Sequence, residues 1–114
     1  MKNHLDTHGQ VYVCSDPIIR ELSNDETGKK TLVANVRGKV NERIPNGQEI
    51  TSFFDFELWD TAAECIKNRL REGDMLIVLS STPRESRWEK DGVPRSKVVF
   101  RVNKFDIVKK SEHE

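Results

Sequence analysis

Long apolar runs, paired cysteines and a signal sequence are all missing here, and each absence excludes a class of protein. The apolar stretches are far shorter than the roughly 20 residues of a membrane-spanning helix, and no signal-peptide pattern follows Met1. Two cysteines, Cys14 and Cys65, lie far apart and lack the spacing of a zinc site. We therefore expect a cytoplasmic protein with reduced cysteines and with neither a metal nor another cofactor.

An excess of charge of either sign is also absent, because 19 basic side chains balance 19 acidic ones. A chain without net charge does not attract nucleic acid as a whole. A nucleic-acid-binding function therefore requires basic residues gathered on one surface. The length of 114 residues predicts one domain.

Residues 51–70 pass from a strand pattern to a helix pattern. Between residues 52 and 59 the side chains alternate, and the face with Phe54, Phe56 and Leu58 is predicted to enter the core. The opposite face has an aromatic residue at each end and two carboxylates between: Phe53, Asp55, Glu57 and Trp59. Apolar residues then recur at helical spacing, and Thr61 with Glu64 has the spacing of a capping box. The pattern predicts a half-buried strand followed directly by a short amphipathic helix.

Four further strands are predicted from alternation and turn signals. The first covers residues 11–14 and resumes over 18–22 after Asp16-Pro17, the second covers 31–40, the fourth 74–88 and the fifth 96–108. Asn46-Gly47 lies between strands two and three, which are therefore expected to be antiparallel neighbours. Pro83 and the charges after it predict that the far half of strand four projects from the body of the domain.

The fifth strand alternates as well. Val98, Phe100 and Val102 are predicted to point inward, and the outward set is Lys97, Val99, Arg101 and Asn103. Five strands with one short helix between the third and fourth are the element order of an all-β OB-fold, a Greek-key barrel. We predict this domain over residues 11–109, between a flexible N-terminal tail (1–10) and a short polar C-terminal tail (110–114).

Several motifs occur in an order and spacing that resemble the bacterial and phage single-stranded DNA-binding protein (SSB) family. They are Asp16-Pro17 with Arg20, the strand from Phe53 to Asp60, the helix and turn TAAECIKNRLREGDMLIV at 61–78, and Arg84, Arg87 and Trp88 before Asp91-Gly92. The resemblance extends over about residues 11–108.

This resemblance implies binding of single-stranded DNA without strong sequence preference, to coat exposed strands in replication, recombination or repair. In the family, outer-face aromatic residues stack on bases, and here these are Phe53, Trp59 and Trp88. The candidate phosphate contacts are basic residues on the same strands and in the adjoining loop: Arg37, Lys39, Arg43, Arg84, Arg87, Lys97 and Arg101. The resemblance also implies a homodimer or homotetramer with replication or recombination proteins as partners, although the family's acidic tail ending in Pro-Phe is not found after Lys110.

Asp55 and Glu57 depart from the family, in which this face is more often basic or apolar. Carboxylates repel phosphates, unless a basic neighbour such as Arg37, Lys39 or Arg101 pairs with them and is thereby held toward the DNA. The sequence leaves both alternatives open. It also leaves open a second function, an OB-fold protein–protein interaction module of a replication complex with weak or no DNA binding, which the zero net charge favours.

Two further alternatives concern single residues. Trp59 could pack beneath the helix, as residues at the entry to a helix often do. A magnesium-dependent nuclease would need Asp55, Glu57 and Asp60 in one site, but alternation sends Asp60 to the opposite face or into the helix cap. We therefore predict a binding protein and not an enzyme.

Overall fold

The computed structural model describes residues 4–113, which fold into one sheet and two short helices. In chain order the elements are β1 (Thr7–Val13), β2 (Ile18–Ser23), β3 (Lys30–Arg43), β4 (Glu49–Trp59), α1 (Thr61–Lys67), β5 (Met75–Lys90), β6 (Val93–Val108) and α2 (Lys110–His113). Among these residues no helix has both the length and the apolar character needed to cross a membrane.

The sheet closes on itself as a barrel. Its strand order is β1-β5-β6-β4-β3-β2, and β1 also pairs with β3 through Tyr12 and Val13, which completes the ring. All pairs are antiparallel except β4 with β6. Gly38 permits the closure, because a Cβ there would lie 2.7 Å from Cγ2 of Val11. The predicted OB-fold barrel is confirmed, and its helix lies between the predicted third and fourth strands, which are β4 and β5 of the structure.

The first predicted strand is divided into β1 and β2 around Asp16-Pro17. Both halves pair with β3. Strand β2 pairs with the first half of β3, and β1 pairs further along β3, at Gly38 and Lys39. Strand β1 also begins earlier than predicted, at Thr7 and not at Val11. Thr7 pairs with Ser81, and their hydroxyl oxygens are hydrogen-bonded at 2.5 Å, so residues 7–10 belong to the barrel and not to a flexible tail.

Alternating side chains from the strands and one face of α1 form the core. It contains Val36, Phe56 and Leu58 from the antiparallel pair β3–β4, and Ala63 and Ile66 from α1. Strands β3 and β4 pair without interruption from Val33–Trp59 to Arg43–Glu49. The structure confirms that these two strands are antiparallel neighbours and that a strand leads directly into the helix.

The predicted inward and outward sets are wrong at two positions near the projecting hairpin, Val98 and Val99. Phe54 lies on the predicted inward side, although it is partly exposed and packs edge-on against Phe100 with ring centroids 5.7 Å apart. Val98 is 53 % exposed, whereas Val99, predicted outward, is 5 % exposed. The cause is that β6 contacts β4 only from Val99 to Arg101. Val98 lies beyond this contact, whereas Val99 has Asp55 of β4 on one side and Arg84 of β5 on the other.

The β5–β6 hairpin extends well past the barrel, as predicted. Its strands continue to pair with each other from Arg84–Val99 to Lys90–Val93. Asp91 and Gly92 form its two-residue turn with φ of 53° and 76°, and positive φ at both central positions is the arrangement that suits the twist of paired strands. The hairpin therefore presents a regular two-sided ribbon.

A buried carboxylate ties the end of β6 to the turn before β5. Asp74 is almost fully buried and accepts hydrogen bonds from the backbone N–H groups of Arg71 and Lys110, both at 2.8 Å, and from Lys109 Nζ at 2.5 Å. Lys109 also donates to the carbonyl of Arg69. Burial raises the pKa of Asp74, but these hydrogen bonds and the charge of Lys109 outweigh it, so the pKa is lowered from its usual value.

The capping box predicted at Thr61 and Glu64 is wrong, because α1 is capped at Asp60 by backbone alone. Asp60 has φ 51° and ψ −114° and makes no side-chain capping bond. Its N–H donates to Leu32 at 2.7 Å and its carbonyl accepts from Glu64. The tight turn from β4 into α1 therefore imposes on an aspartate a backbone conformation that favours glycine.

We expect Asp60→Gly to stabilise the fold by about 1 kcal/mol. Backbone strain of this kind amounts to roughly 1–3 kcal/mol, and glycine's greater freedom in the unfolded chain offsets about 0.5–1 kcal/mol of the relief. Urea unfolding measures the change. Asp91→Gly is the matched control, because Asp91 lies in a turn conformation that aspartate tolerates, and it should change stability less. Equal or lower stability of Asp60→Gly would contradict the assignment of strain.

Candidate nucleic-acid interface

One side of the barrel carries the alternating residues that do not enter the core. We call it the outer face, and it comprises Asn35, Arg37 and Lys39 on β3, Phe53, Asp55, Glu57 and Trp59 on β4, and Arg84, Trp88, Arg95, Lys97, Val99 and Arg101 on the β5–β6 hairpin. The strand register brings these into rows, with Arg37 opposite Asp55, Asp55 beside Val99, and Val99 opposite Arg84. The projecting hairpin thus continues the face formed by β3 and β4.

A groove of about 480 Å³ runs along the outer face between β2 and the hairpin. Val99 lies among its lining residues and Ile18 at its edge on β2. Four cationic side chains line it, namely Arg20, Arg37, Arg84 and Lys97, against the two carboxylates of Asp55 and Glu57. The groove is therefore positively charged although the whole chain has no net charge.

Glu57 is bound by Arg84 in a two-point ion pair. Arg84 Nε and Nη2 donate to the two carboxylate oxygens at 2.8 and 2.9 Å. Burial raises the pKa of Glu57, but the bonds from Arg84, the nearby Trp59 N–H and the charges of Arg84 and Arg101 outweigh it, so the pKa is lowered. The Glu57 side chain is 4 % exposed and that of Arg84 48 %. The anion is thus covered while part of the cation faces solvent.

The Asp55 carboxylate is likewise paired with cations, one from each neighbouring strand. It accepts a hydrogen bond from Arg37 Nη1 of β3 at 3.1 Å and another from Lys97 Nζ of β6 at 3.2 Å. Arg37 also lies over the ring of Phe53, with its guanidinium carbon 5.2 Å from the centroid. Both cations remain about half exposed, and Asp55 less so, so this group presents one net positive charge.

The three predicted stacking residues have different environments. Phe53 is 51 % exposed and Trp88 43 %, so both have ring surface open to a ligand. Trp59 is only partly exposed and lies across from the fully buried Val33. Its Nε1–H is buried without a hydrogen bond of normal geometry, although its nearness lowers the pKa of Glu57. Trp59 therefore has less ring surface open to a ligand than Phe53 and Trp88 have.

The predicted basic residues are only partly brought together. Arg37, Arg84, Lys97 and Arg101 gather at the centre of the outer face around the two carboxylates. Lys39 lies opposite Phe53 at one side of this centre. Arg43 lies at the far end of the β3–β4 hairpin, paired with Glu49 at 3.0 Å.

Arg87 lies apart from the others. Strand alternation places Arg84 and Trp88 on one side of the hairpin and Arg87 on the other, where it pairs with Glu85. The structure thus separates two residues that are neighbours in the sequence.

Three residues that the sequence prediction did not include lie on or beside this face. Arg95 is directly across the hairpin from Trp88, and Tyr12 is across from Lys39. Arg20 donates from Nε to Asn35 Oδ1 at 2.8 Å at the rim of the groove. Arg95 could have been found by counting back from Asp91-Gly92, because a two-residue turn fixes the cross-strand partners.

Comparison with known proteins identifies relatives of this chain. No family model matches it. It is 35 % identical over 90 residues to single-stranded DNA-binding protein 1 of Synechocystis sp., a match covering 77 % of this chain and 72 % of that protein. It is 33 % identical over 72 residues to the single-stranded DNA-binding protein of Treponema pallidum, covering 60 % of this chain and 40 % of that protein.

Solved structures support the fold. A small single-stranded DNA-binding protein from Streptomyces coelicolor superposes with a TM-score of 0.66 at 14 % identity, over 92 % of this chain and 94 % of that one. Plasmodium falciparum SSB, in complex with single-stranded DNA, superposes with a TM-score of 0.70 at 18 % identity over 96 % of each chain. The solved structures thus show the fold, and the 35 % identity to the Synechocystis protein, over most of both chains, shows that the chain belongs to the single-stranded DNA-binding protein family.

Proposed function

We propose that the protein binds single-stranded DNA along the outer face, without strong sequence preference, and coats exposed strands during replication, recombination or repair. The observation that carries this proposal is the interleaving of exposed aromatic rings and exposed cations on one face of a family member. The family consists of binding proteins, in agreement with the prediction that the chain has no catalytic activity.

The chemistry of the face suits a single strand better than a duplex. Bases that are not paired can stack on Phe53 and Trp88, and every base has a ring face, so stacking of this kind depends little on sequence. The exposed ends of Arg37, Arg84 and Lys97 lie between these two rings along the sheet, where they can contact the phosphates that link stacked bases. A duplex offers its phosphates but keeps its base faces covered.

A second candidate function is a protein–protein interaction module. The observation that favours it is the neutralisation of part of the basic charge by Asp55 and Glu57. The two functions differ in the salt dependence of the affinity for DNA, which is steep where the protein contacts phosphates.

We expect oligo(dT) binding to quench tryptophan fluorescence and to weaken linearly with the logarithm of the salt concentration. Quenching follows from stacking at Trp88, and the salt slope is roughly −0.7 for each phosphate contact on a single strand. Oligo(dA) should give the same signal, and duplex DNA of equal length is the control with weaker binding. Absence of oligo(dT) binding at low salt would overturn the proposal in favour of the protein-binding module.

We also propose that the protein acts as a homodimer or homotetramer in the cytoplasm, with replication or recombination proteins as partners. Leu5 and Leu79 are both more than half exposed near the β1–β5 pair, and association would cover apolar surface of this kind. The two cysteines are free thiols, which suits a reducing compartment.

A further inference from the structure

The ion pair between Glu57 and Arg84 is the best-defined polar contact of the outer face, and its geometry fixes the arginine. Both carboxylate oxygens are engaged, at 2.8 and 2.9 Å, and the carboxylate is buried while the arginine is half exposed. We infer that Glu57 is a positioning residue, which holds Arg84 in the orientation that contacts a DNA phosphate. The inference rests on the proposed function and concerns one contact within it.

Arg84 can bind Glu57 and a phosphate simultaneously. A guanidinium group has five N–H donors, and Glu57 accepts one from Nε and one from Nη2. The other Nη2 donor and both Nη1 donors make no hydrogen bond within the described residues. Since arginine is well suited to recognise phosphate through two donors, the unused edge of Arg84 is a suitable phosphate ligand.

The surroundings keep this arrangement rigid before DNA arrives. Glu57 lies two residues before the end of β4, between Asn35 of β3 and Arg101 of β6, and the strand pairs fix its backbone on both sides. A long side chain that is already ordered loses little freedom when it binds a ligand, which improves affinity. A free arginine at the same place would have to be ordered by the DNA itself.

The same pair also places Arg84 relative to the nearest stacking residue. Trp88 is four residues further along β5 on the same side, which is roughly 13 Å along a strand. A phosphate at Arg84 can therefore belong to the same short segment of DNA that stacks on Trp88. Glu57 would then set the spacing between a phosphate contact and a base contact.

A competing effect has the opposite sign, because a carboxylate also repels DNA. Glu49 supplies a matched comparison. It pairs with Arg43 on the β3–β4 hairpin, but both side chains are largely exposed, so it does not hold its arginine rigidly. Glu57→Gln and Glu49→Gln remove the same charge by the same change of atoms. If charge alone matters, both tighten binding, and if positioning matters, only Glu57→Gln weakens it.

The test is a double-mutant cycle on oligo(dT) affinity across a salt series, at a temperature where thermal melts show every variant folded. We expect Glu57→Gln to weaken binding roughly 3- to 10-fold, because a misplaced Arg84 loses part of its phosphate contact. The salt slope should fall by up to about 0.7, toward the slope of Arg84→Ala. In the Arg84→Ala background the same change should have no further effect. Glu49→Gln should leave affinity equal or slightly higher.

Arg84→Lys tests the inference without removing the buried carboxylate. Lysine keeps the charge but cannot make the two-point contact with Glu57, so affinity should fall although charge is conserved. Tighter binding with a steeper salt slope in Glu57→Gln would overturn the inference. An equal loss of affinity on Glu57→Gln in the wild type and in the Arg84→Ala background would also overturn it. Failure of the wild type to bind oligo(dT) would overturn the proposed function as well, so the two failures are distinguishable.

Discussion

Replacing Trp88 with alanine is expected to weaken oligo(dT) binding roughly 5- to 150-fold. Trp88 lies on the projecting hairpin, on the same side as Arg84 and Lys97, and is outside the core. Because the ring lies outside the core and is 43 % exposed, stability should be nearly unchanged. Loss of one stacked base amounts to roughly 1–3 kcal/mol, which corresponds to this range of affinities. Fluorescence anisotropy of labelled oligo(dT) at fixed salt measures the change.

The hairpin itself provides the controls for Trp88. Val98→Ala removes an exposed apolar side chain from the opposite side and should leave affinity unchanged. Arg95→Ala, directly across from Trp88, should weaken binding and reduce the salt slope by about 0.7, whereas Arg87→Ala, on the other side, should have a smaller effect. If Trp88→Ala binds as the wild type does, the DNA follows β3 and β4 without using the hairpin.

The outer face resolves an apparent conflict between zero net charge and a DNA-binding function. Its two carboxylates lie beneath their basic partners, and the exposed surface is dominated by the ends of Arg37, Arg84 and Lys97. Charge that is covered by an ion pair contributes less to the field at the surface than charge in contact with solvent. A strand of DNA would therefore meet the cations first. In the structure both Asp55 and Glu57 are paired with basic neighbours.

Local sequence patterns were sufficient to predict the barrel's elements but not all of their surroundings. Alternation correctly predicted which side chains of β4 share a side, and Asp91-Gly92 marked the turn of the β5–β6 hairpin. The exposure of Val98 and the burial of Val99 depend instead on where β6 meets β4, a contact between distant segments that alternation does not encode.

The partners of the carboxylates show the same limit. Arg37 was predicted as a partner from its position on the neighbouring strand, and it pairs with Asp55. Arg84 and Lys97 were not expected as partners, because they reach Glu57 and Asp55 from the hairpin only once the barrel has closed. Tertiary pairing, and not residue type, decides which of several cations meets each carboxylate.

Asp74→Ala is expected to have the largest effect on stability, a loss of about 3–5 kcal/mol. The change leaves the N–H groups of Arg71 and Lys110 without their acceptor and removes the counter-charge of Lys109. Each buried donor without a partner amounts to roughly 1–3 kcal/mol, against a total of about 5–15 kcal/mol for a typical domain. Urea unfolding at pH 7 measures the loss. Asp106→Ala is the matched control, since that exposed carboxylate bonds only to the next backbone N–H within the described residues, and it should change stability by less than about 0.5 kcal/mol.

The stability that Asp74 provides should also decrease in acid. Its pKa in the folded protein is lowered from the ordinary value of 3.8, so near and below that pH the unfolded chain binds a proton that the folded chain does not. Acid therefore favours unfolding, and the contribution is fully present above about pH 5 and declines as the pH falls through 3.8 toward the folded pKa. Glu57, whose pKa is also lowered, has the same effect in the wild type and in Asp74→Ala. The difference between their free energies of unfolding therefore isolates the contribution of Asp74. We expect that difference to narrow between pH 5 and pH 3. A difference that stays constant over this range would show that the Asp74 carboxylate is not stabilised by its partners in the way that the geometry indicates.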